Sequence, residues 1–179
     1  MKIFQLILIA SLFSFGQLNA QSTQKQSSNN NNSKSIEVLN AKEEIRNLID
    51  DYAYLGDEKK ISEQMQLLTT DVTYNVYMNG ILVSSLSGRE NIEKEFKLHA
   101  SQVKTYFTLN GQHMIEIQGN NATGNSFSQI KMIRENEGKN ILSDYSVKYA
   151  DKYVFKDGKW LIKERIGYFI IVEARQVNN

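Results

Sequence analysis

A chain of 179 residues, 41% hydrophobic and 23% charged, is long enough for one globular domain with attached segments. With no cysteine it has no disulfide, thiolate nucleophile, iron–sulfur ligand or cysteine zinc site, and its two histidines, His99 and His113, cannot build a three-histidine metal centre. The 21 Lys and Arg against 20 Asp and Glu leave a formal charge of +1, without the basic excess of a nucleic-acid binder, so no metal, no cofactor and no nucleic-acid partner is expected.

Lys2 is followed by an apolar run over residues 3–15 and then by Leu18-Asn19-Ala20, the form of a signal peptide cut after Ala20. The run includes Gln5 and falls short of the roughly 20 apolar residues of a spanning helix, so export with removal is favoured over a retained anchor. No cysteine follows it to carry a lipid. The expectation is therefore a periplasmic or secreted protein with no membrane span after processing. Residues 21–35 (QSTQKQSSNNNNSKS) bury too little apolar surface to offset the entropy of ordering them and read as a disordered polar linker. The folded domain is expected over residues 36–179, about 140 residues and one core.

Ile45, Leu48, Ile49, Tyr52 and Leu55 recur at the three-and-four spacing of one helix face, with Asn40-Ala41-Lys42-Glu43 as a capping box before them and Gly56 as a stop. A second, shorter helix should carry Ile61, Met65 and Leu68, with Asp57 placed to cap it. Residues 72–78 and 81–86 are rich in β-branched and aromatic side chains and flank Asn79-Gly80, the dipeptide suited to a type I′ hairpin. Ser87 and Glu90 then stand at capping-box spacing before a third helix with Ile92, Phe96 and His99 or Ala100 on one side.

Four long extended segments follow, over residues 103–118, 122–135, 141–155 and 160–174, separated by tight-turn sequences such as Asp157-Gly158. Consecutive strands joined in this way form an antiparallel meander, and strands beyond ten residues must twist and bend, with Asn110-Gly111 a natural bulge. Helices first and a curved sheet afterwards define an α+β fold whose concave face can enclose a pocket.

The residues carrying this order are Ile45-Arg46-Asn47-Leu48-Ile49-Asp50-Asp51-Tyr52-Ala53 with Asp57, Leu67-Leu68-Thr69-Thr70-Asp71-Val72, Gly88-Arg89-Glu90-Asn91-Ile92, residues 115–124, and Asp157-Gly158-Lys159-Trp160-Leu161-Ile162 running on to Arg165. In that order and spacing the chain resembles the SnoaL-like branch of the nuclear-transport-factor-2-like superfamily. The resemblance implies a cone-shaped α+β fold, three helices packed on a strongly curved, mainly antiparallel sheet around a pocket. It leaves function open, because the fold hosts dehydratases, isomerases, cyclases, dioxygenase subunits and binding proteins.

Catalytic members similar to scytalone dehydratase and bile-acid dehydratase use a Tyr and an Asp from the end of the first helix, a His on the sheet and often an Arg on the last strand. The resemblance carries these roles to Tyr52, Asp57 and Arg165, and places Thr108 where the histidine would stand. Abstracting a proton beside a carbonyl needs a base and an oxyanion donor, roles open to Asp57 and Tyr52. The position of Asp57 favours a helix cap over a base, and Tyr52 serves equally as core aromatic and pocket wall. Strict alternation puts Arg165 on a mixed face with Leu161 and Lys163, hence more commonly in solvent; turned inward, it would hold Asp57 ionised. His113 shares parity with Ile115 and Ile117 and is a displaced acid, base or ligand contact if that face lines the cavity, whereas His99 reads as a packed or helix-terminal residue.

Tyr145, Val147, Tyr149, Asp151, Tyr153 and Phe155 alternate along one strand face, a row open to use as pocket wall or as an exposed surface for a homodimer through the sheet, the arrangement common in this superfamily. The expected function is an exported protein binding a small apolar or carbonyl-bearing molecule, with ligand contacts from Tyr52, Asp57, His113 and Arg165. Two alternatives stand beside it: a cofactor-independent lyase or isomerase, dehydratase-like, and a structural dimer whose pocket is filled by its own aromatic side chains.

Overall fold

The computed structural model describes residues 17–178, with side chains from residue 32 onward. Of the expected signal peptide, residues 1–16 lie outside the described residues. The chain divides between Asn40 and Ala41 into two units. Helix α1, Gln17–Asp57, begins in the first, so the segment expected to be a disordered linker is helical and no new helix is capped at Asn40. No Gly or Pro interrupts residues 17–55, so nothing in the segment breaks the helix that Ile45, Leu48 and Ile49 anchor further on. Within the first unit Ser33 Oγ donates to Glu37 Oε1 at 3.2 Å one turn on, and Ile36 and Leu39 are exposed.

In the second unit α1 buries Ile45, Leu48 and Ile49 on the face their spacing predicts. Gly56 does not end the helix. The reversal comes at Lys59, in the left-handed region at φ 57°, where Lys60 N–H donates to Leu55 O at 2.8 Å and Lys59 N–H to Gly56 O at 3.0 Å, the paired bonds of a Schellman motif. Gly56 instead provides clearance, because a Cβ there would sit 2.7 Å from Gln64 Nε2. The second helix is a single turn, α2 (Ile61–Gln64), followed by a 3₁₀ turn at Met65–Leu67. Its N-cap is Lys60, with no side-chain cap, so Asp57 does not cap it.

Strands β1 (Leu68–Met78) and β2 (Ile81–Ser87) form the expected hairpin, with Asn79 and Gly80 at φ 50° and 77°. Helix α3, Arg89–Ser101, starts from Gly88 at φ 81° without a side-chain cap; in place of the Ser87–Glu90 box, Asn91 Nδ2 donates to Ser87 O at 2.9 Å. The meander follows as β3 (Thr105–Gln118), β4 (Asn121–Asn136), β5 (Lys139–Lys156) and β6 (Lys159–Val177). The six strands are ordered β2-β1-β6-β5-β4-β3, antiparallel except for the β1–β6 pair, which is parallel.

Irregularities in register curve the sheet and decide which side chains face inward. Asn110 pairs with Ser128 and His113 with Ser126, so Gly111 and Gln112 bulge opposite Phe127 as the Asn-Gly sequence suggests. On β6 Glu164 pairs with Lys152 but Ile162 with Tyr153, which leaves Lys163 unpaired. Beyond that extra residue the alternation inverts, and Arg165 joins Ile162 on the inner face. The core there gathers Ile45, Met65, Leu68, Val72, Ile92, Tyr153 and Ile162, each at most 2% exposed. Burying each such aliphatic side chain contributes about 1.5–3 kcal/mol.

Candidate functional site

Between α1, α3 and the inner face of the sheet lies a cavity of about 490 Å³. Its apolar wall includes Ile49, Leu86, Phe96, Ile130, Met132 and Phe169, and its polar groups include Tyr52, Asp57, Thr108, Arg165, Arg134 and His99. The volume is within the range of small-molecule sites, and a pocket already filled by its own aromatics is not what the chain builds.

Arg165 is 3% exposed and forms a two-pronged ion pair with Asp151, Nε to Oδ1 and Nη2 to Oδ2, each at 2.9 Å. Two Tyr rings pack against the guanidinium, Tyr52 with its centroid at 4.4 Å and Tyr149 at 4.3 Å. Burial opposes the Arg165 charge, but the Asp151 carboxylate outweighs it, so the guanidinium pKa is held well above its ordinary value. Burial likewise pushes the Tyr52 and Tyr149 hydroxyls up, and both rings remain neutral. The expectation of a solvated Arg165 is corrected by the Lys163 bulge, and the expectation that Arg165 would pair with Asp57 is corrected by Asp151, which stands directly opposite it on β5.

Behind this pair, Tyr153 donates its O–H to Asp151 Oδ2 at 2.9 Å, and His113 Nε2 lies 3.2 Å from the Tyr153 oxygen. With the tyrosine proton committed to Asp151, His113 supplies the proton of the second bond from Nε2. Burial lowers the His113 pKa. His113 therefore supports the Asp151–Arg165 pair from the far side and does not line the cavity. The backbone makes room for it at Gly124, where a Cβ would stand 2.8 Å from His113 Nε2. The row from Tyr145 to Phe155 is thus inner wall: Val147, Tyr149, Asp151 and Tyr153 are buried, and the row cannot serve as an exposed dimer surface.

Asp57, at the last residue of α1, receives two hydrogen bonds from one residue, Thr108 N–H to Oδ2 at 2.6 Å and Thr108 Oγ1 to Oδ1 at 2.7 Å. The two positions the resemblance singled out on α1 and β3 do meet, but as a clamp that joins the helix end to the strand. Next to it, Gln64 Nε2 donates to Tyr52 O at 2.8 Å and leaves Gln64 Oε1 buried in the cavity wall without a partner.

A second polar group lies on α3, β3 and β4. Arg134 Nη2 donates to His99 Nε2, and His99 Nδ1 is 2.7 Å from the Tyr106 hydroxyl. A guanidinium only donates, so Nε2 carries the lone pair, Nδ1 carries the proton and Tyr106 accepts it. Burial, then the Arg134 charge, lowers the His99 pKa, and burial pushes the Tyr106 hydroxyl up to about 12.

Sequence reasoning placed Asp151 and Tyr149 in a row open to use as pocket wall without giving either a role in the site, and assigned none to Tyr106 or Arg134. Asp151 carried a readable signal, since a lone carboxylate within an alternating row of buried aromatics requires a cation. Among the described residues, no group of three or more His, Asp or Glu side chains is placed to hold a metal ion, and no helix is long and apolar enough to cross a membrane.

Residues 37–166 match the family described as SnoaL-like domain. The chain belongs to this family. A comparison with curated proteins finds no match. Among solved structures, this SnoaL-like protein is similar to a candidate scytalone dehydratase from Novosphingobium aromaticivorans, with 18% identity, TM-score 0.68 and coverage of 83% of this chain and 93% of the other. It is also similar to the Kfla4162 protein from Kribbella flavida, with 13% identity, TM-score 0.69 and coverage of 76% and 95%. A hexachlorocyclohexane dehydrochlorinase from Novosphingobium barchaimii matches at 13% identity, TM-score 0.66 and coverage of 79% and 94%. At these identities the likeness establishes the nuclear-transport-factor-2-like fold.

Proposed function

We propose that this SnoaL-like protein is exported and holds a small, largely apolar molecule, carbonyl-bearing or cyclic, in its cavity. The observation that carries this reading is the open volume of about 490 Å³ walled by apolar side chains and a few fixed polar groups. Tyr52 and Arg165 form a rigid floor, and Asp57 with Thr108 a fixed polar corner. Export rests on the Lys2 and apolar 3–15 pattern. Pairing of two copies through the sheet is supported by exposed Phe107 and Leu109 on β3 beside Phe127 on β4.

The test is a thermal-shift screen of small cyclic ketones, phenols and aromatic acids against the wild type and Ile130→Trp, which puts an indole into the cavity. Ligands that raise Tm in the wild type and not in the variant support the reading; a folded wild type with no response to any of them sinks it.

A lyase or isomerase activity is the second reading, favoured by the Asp57 carboxylate at the cavity wall and by the dehydratase and dehydrochlorinase named among the structural neighbours. Incorporation of solvent deuterium beside the carbonyl of a bound ketone, abolished in Asp57→Asn, is its signature.

A further inference from the structure

Two arginines line the cavity, and only one has a counter-charge. Arg165 is neutralised by Asp151. Arg134 makes no ion pair among the described residues: Nη2 is spent on the neutral His99 ring, and Nε is buried without a partner. Glu95 on α3 lines the same cavity, but it is exposed and unpaired with Arg134. A half-buried guanidinium facing a largely apolar wall, with donors unspent, is costly unless an anion completes it.

The neighbours of Arg134 narrow the anion further. Because His99 delivers its Nδ1 proton to the Tyr106 oxygen, the Tyr106 O–H has no acceptor among the described residues and is available to the cavity. On β4, Ser128, Ile130, Met132 and Arg134 alternate along the inner face, and Met132 lies opposite Tyr106 on β3. The strand therefore runs from an apolar wall to a cationic end with a hydroxyl donor beside it. A planar guanidinium takes a planar carboxylate through parallel bonds.

Building on the proposed small-molecule function, we infer that Arg134 and Tyr106 form a carboxylate-binding end of the cavity, so that the ligand is an apolar body carrying a carboxylate group. His99 is a positioning residue that fixes the guanidinium and directs the tyrosine proton.

The experiment measures Kd by calorimetry for 2-naphthoate and 2-naphthamide, an isosteric pair differing in charge, on the wild type, Arg134→Met and Arg134→Lys. The wild type is expected to prefer the carboxylate by about tenfold or more, the usual effect of a charge-assisted hydrogen bond. The preference should disappear in Arg134→Met and survive in part in Arg134→Lys, with circular dichroism confirming the fold of each. Equal binding of the two probes by the wild type overturns the inference and leaves the cavity reading standing, without reference to either variant. Binding of neither probe overturns the carboxylate end, and a simultaneous blank in the thermal-shift screen removes the cavity reading too. A preference that persists undiminished in folded Arg134→Met places the anion elsewhere and overturns it as well.

Discussion

Asp151 and Arg165 meet across β5 and β6 through two hydrogen bonds of 2.9 Å, and the Tyr52 and Tyr149 rings pack against the guanidinium. Removing one partner leaves the other charge stranded. Asp151→Asn is expected to cost about 3–5 kcal/mol in urea unfolding, whereas Asp151→Asn combined with Arg165→Met should cost much less than the sum of the single changes. Additive costs in the double-mutant cycle would show that the two groups do not act as a unit.

Gly124 is held to its identity by contact. A methyl group there would stand 2.8 Å from His113 Nε2 and 3.0 Å from Tyr153 Cε2. Gly124→Ala should therefore destabilise the domain by about 1–3 kcal/mol, and His113→Ala in the same chain should return part of the loss by vacating the space. Thermal denaturation of the wild type and the two variants provides the check.

The Asp57–Thr108 clamp has two bonds of different origin. Thr108→Val deletes the hydroxyl donor and keeps the backbone one, for an expected loss of about 1 kcal/mol. Asp57→Ala removes the acceptor of both and leaves the Thr108 N–H without a partner, so it should cost more, about 1–3 kcal/mol. The reverse ranking in chemical denaturation would contradict the geometry.

His99 and His113 both have pKa values lowered from 6.5, chiefly by burial; Arg134 and Arg165 add to the effect at His99 and His113 respectively, while Asp151 opposes it at His113. A lowered folded-state histidine pKa means that the unfolded chain takes up protons first on acidification. Stability is then complete above the unfolded value and falls as pH drops below 6.5 towards the folded values. Asp71, Glu93 and Asp144, lowered from 3.8, 4.5 and 3.8, lose their contributions only in more acid solution. Urea midpoints between about pH 7.5 and 5 should decline in the wild type and flatten in His99→Gln with His113→Gln.

The hydrophobic period of α1, the Asn79-Gly80 hairpin, the Asn110-Gly111 bulge and the four-strand meander were legible because each is local, a spacing or a turn dipeptide. The site was less so. Arg165 looked solvent-facing because alternation counts every residue, and the unpaired Lys163 that inverts the count follows from pairing with β5. Asp57 fitted a cap by position alone; its true partner is 51 residues away on β3. Arg134 carried no sequence signal, since one basic residue near the end of a strand is ordinary until α3 lays His99 against it.

The parallel pair of β1 and β6 joins residues such as Tyr74 and Arg165 that are far apart in sequence. The hairpin that opens the sheet thus has α3 against it early, through Phe96 on Tyr74, but no second strand partner until the last strand of the domain has been synthesised, and the free edge of β1 stays unpaired meanwhile. Such non-local pairing slows folding and prolongs exposure of sticky edges. The domain should accordingly depend on a chaperone or a rapid final docking step during synthesis, and a chain cut before β6 should be degraded rather than accumulate as a smaller folded form.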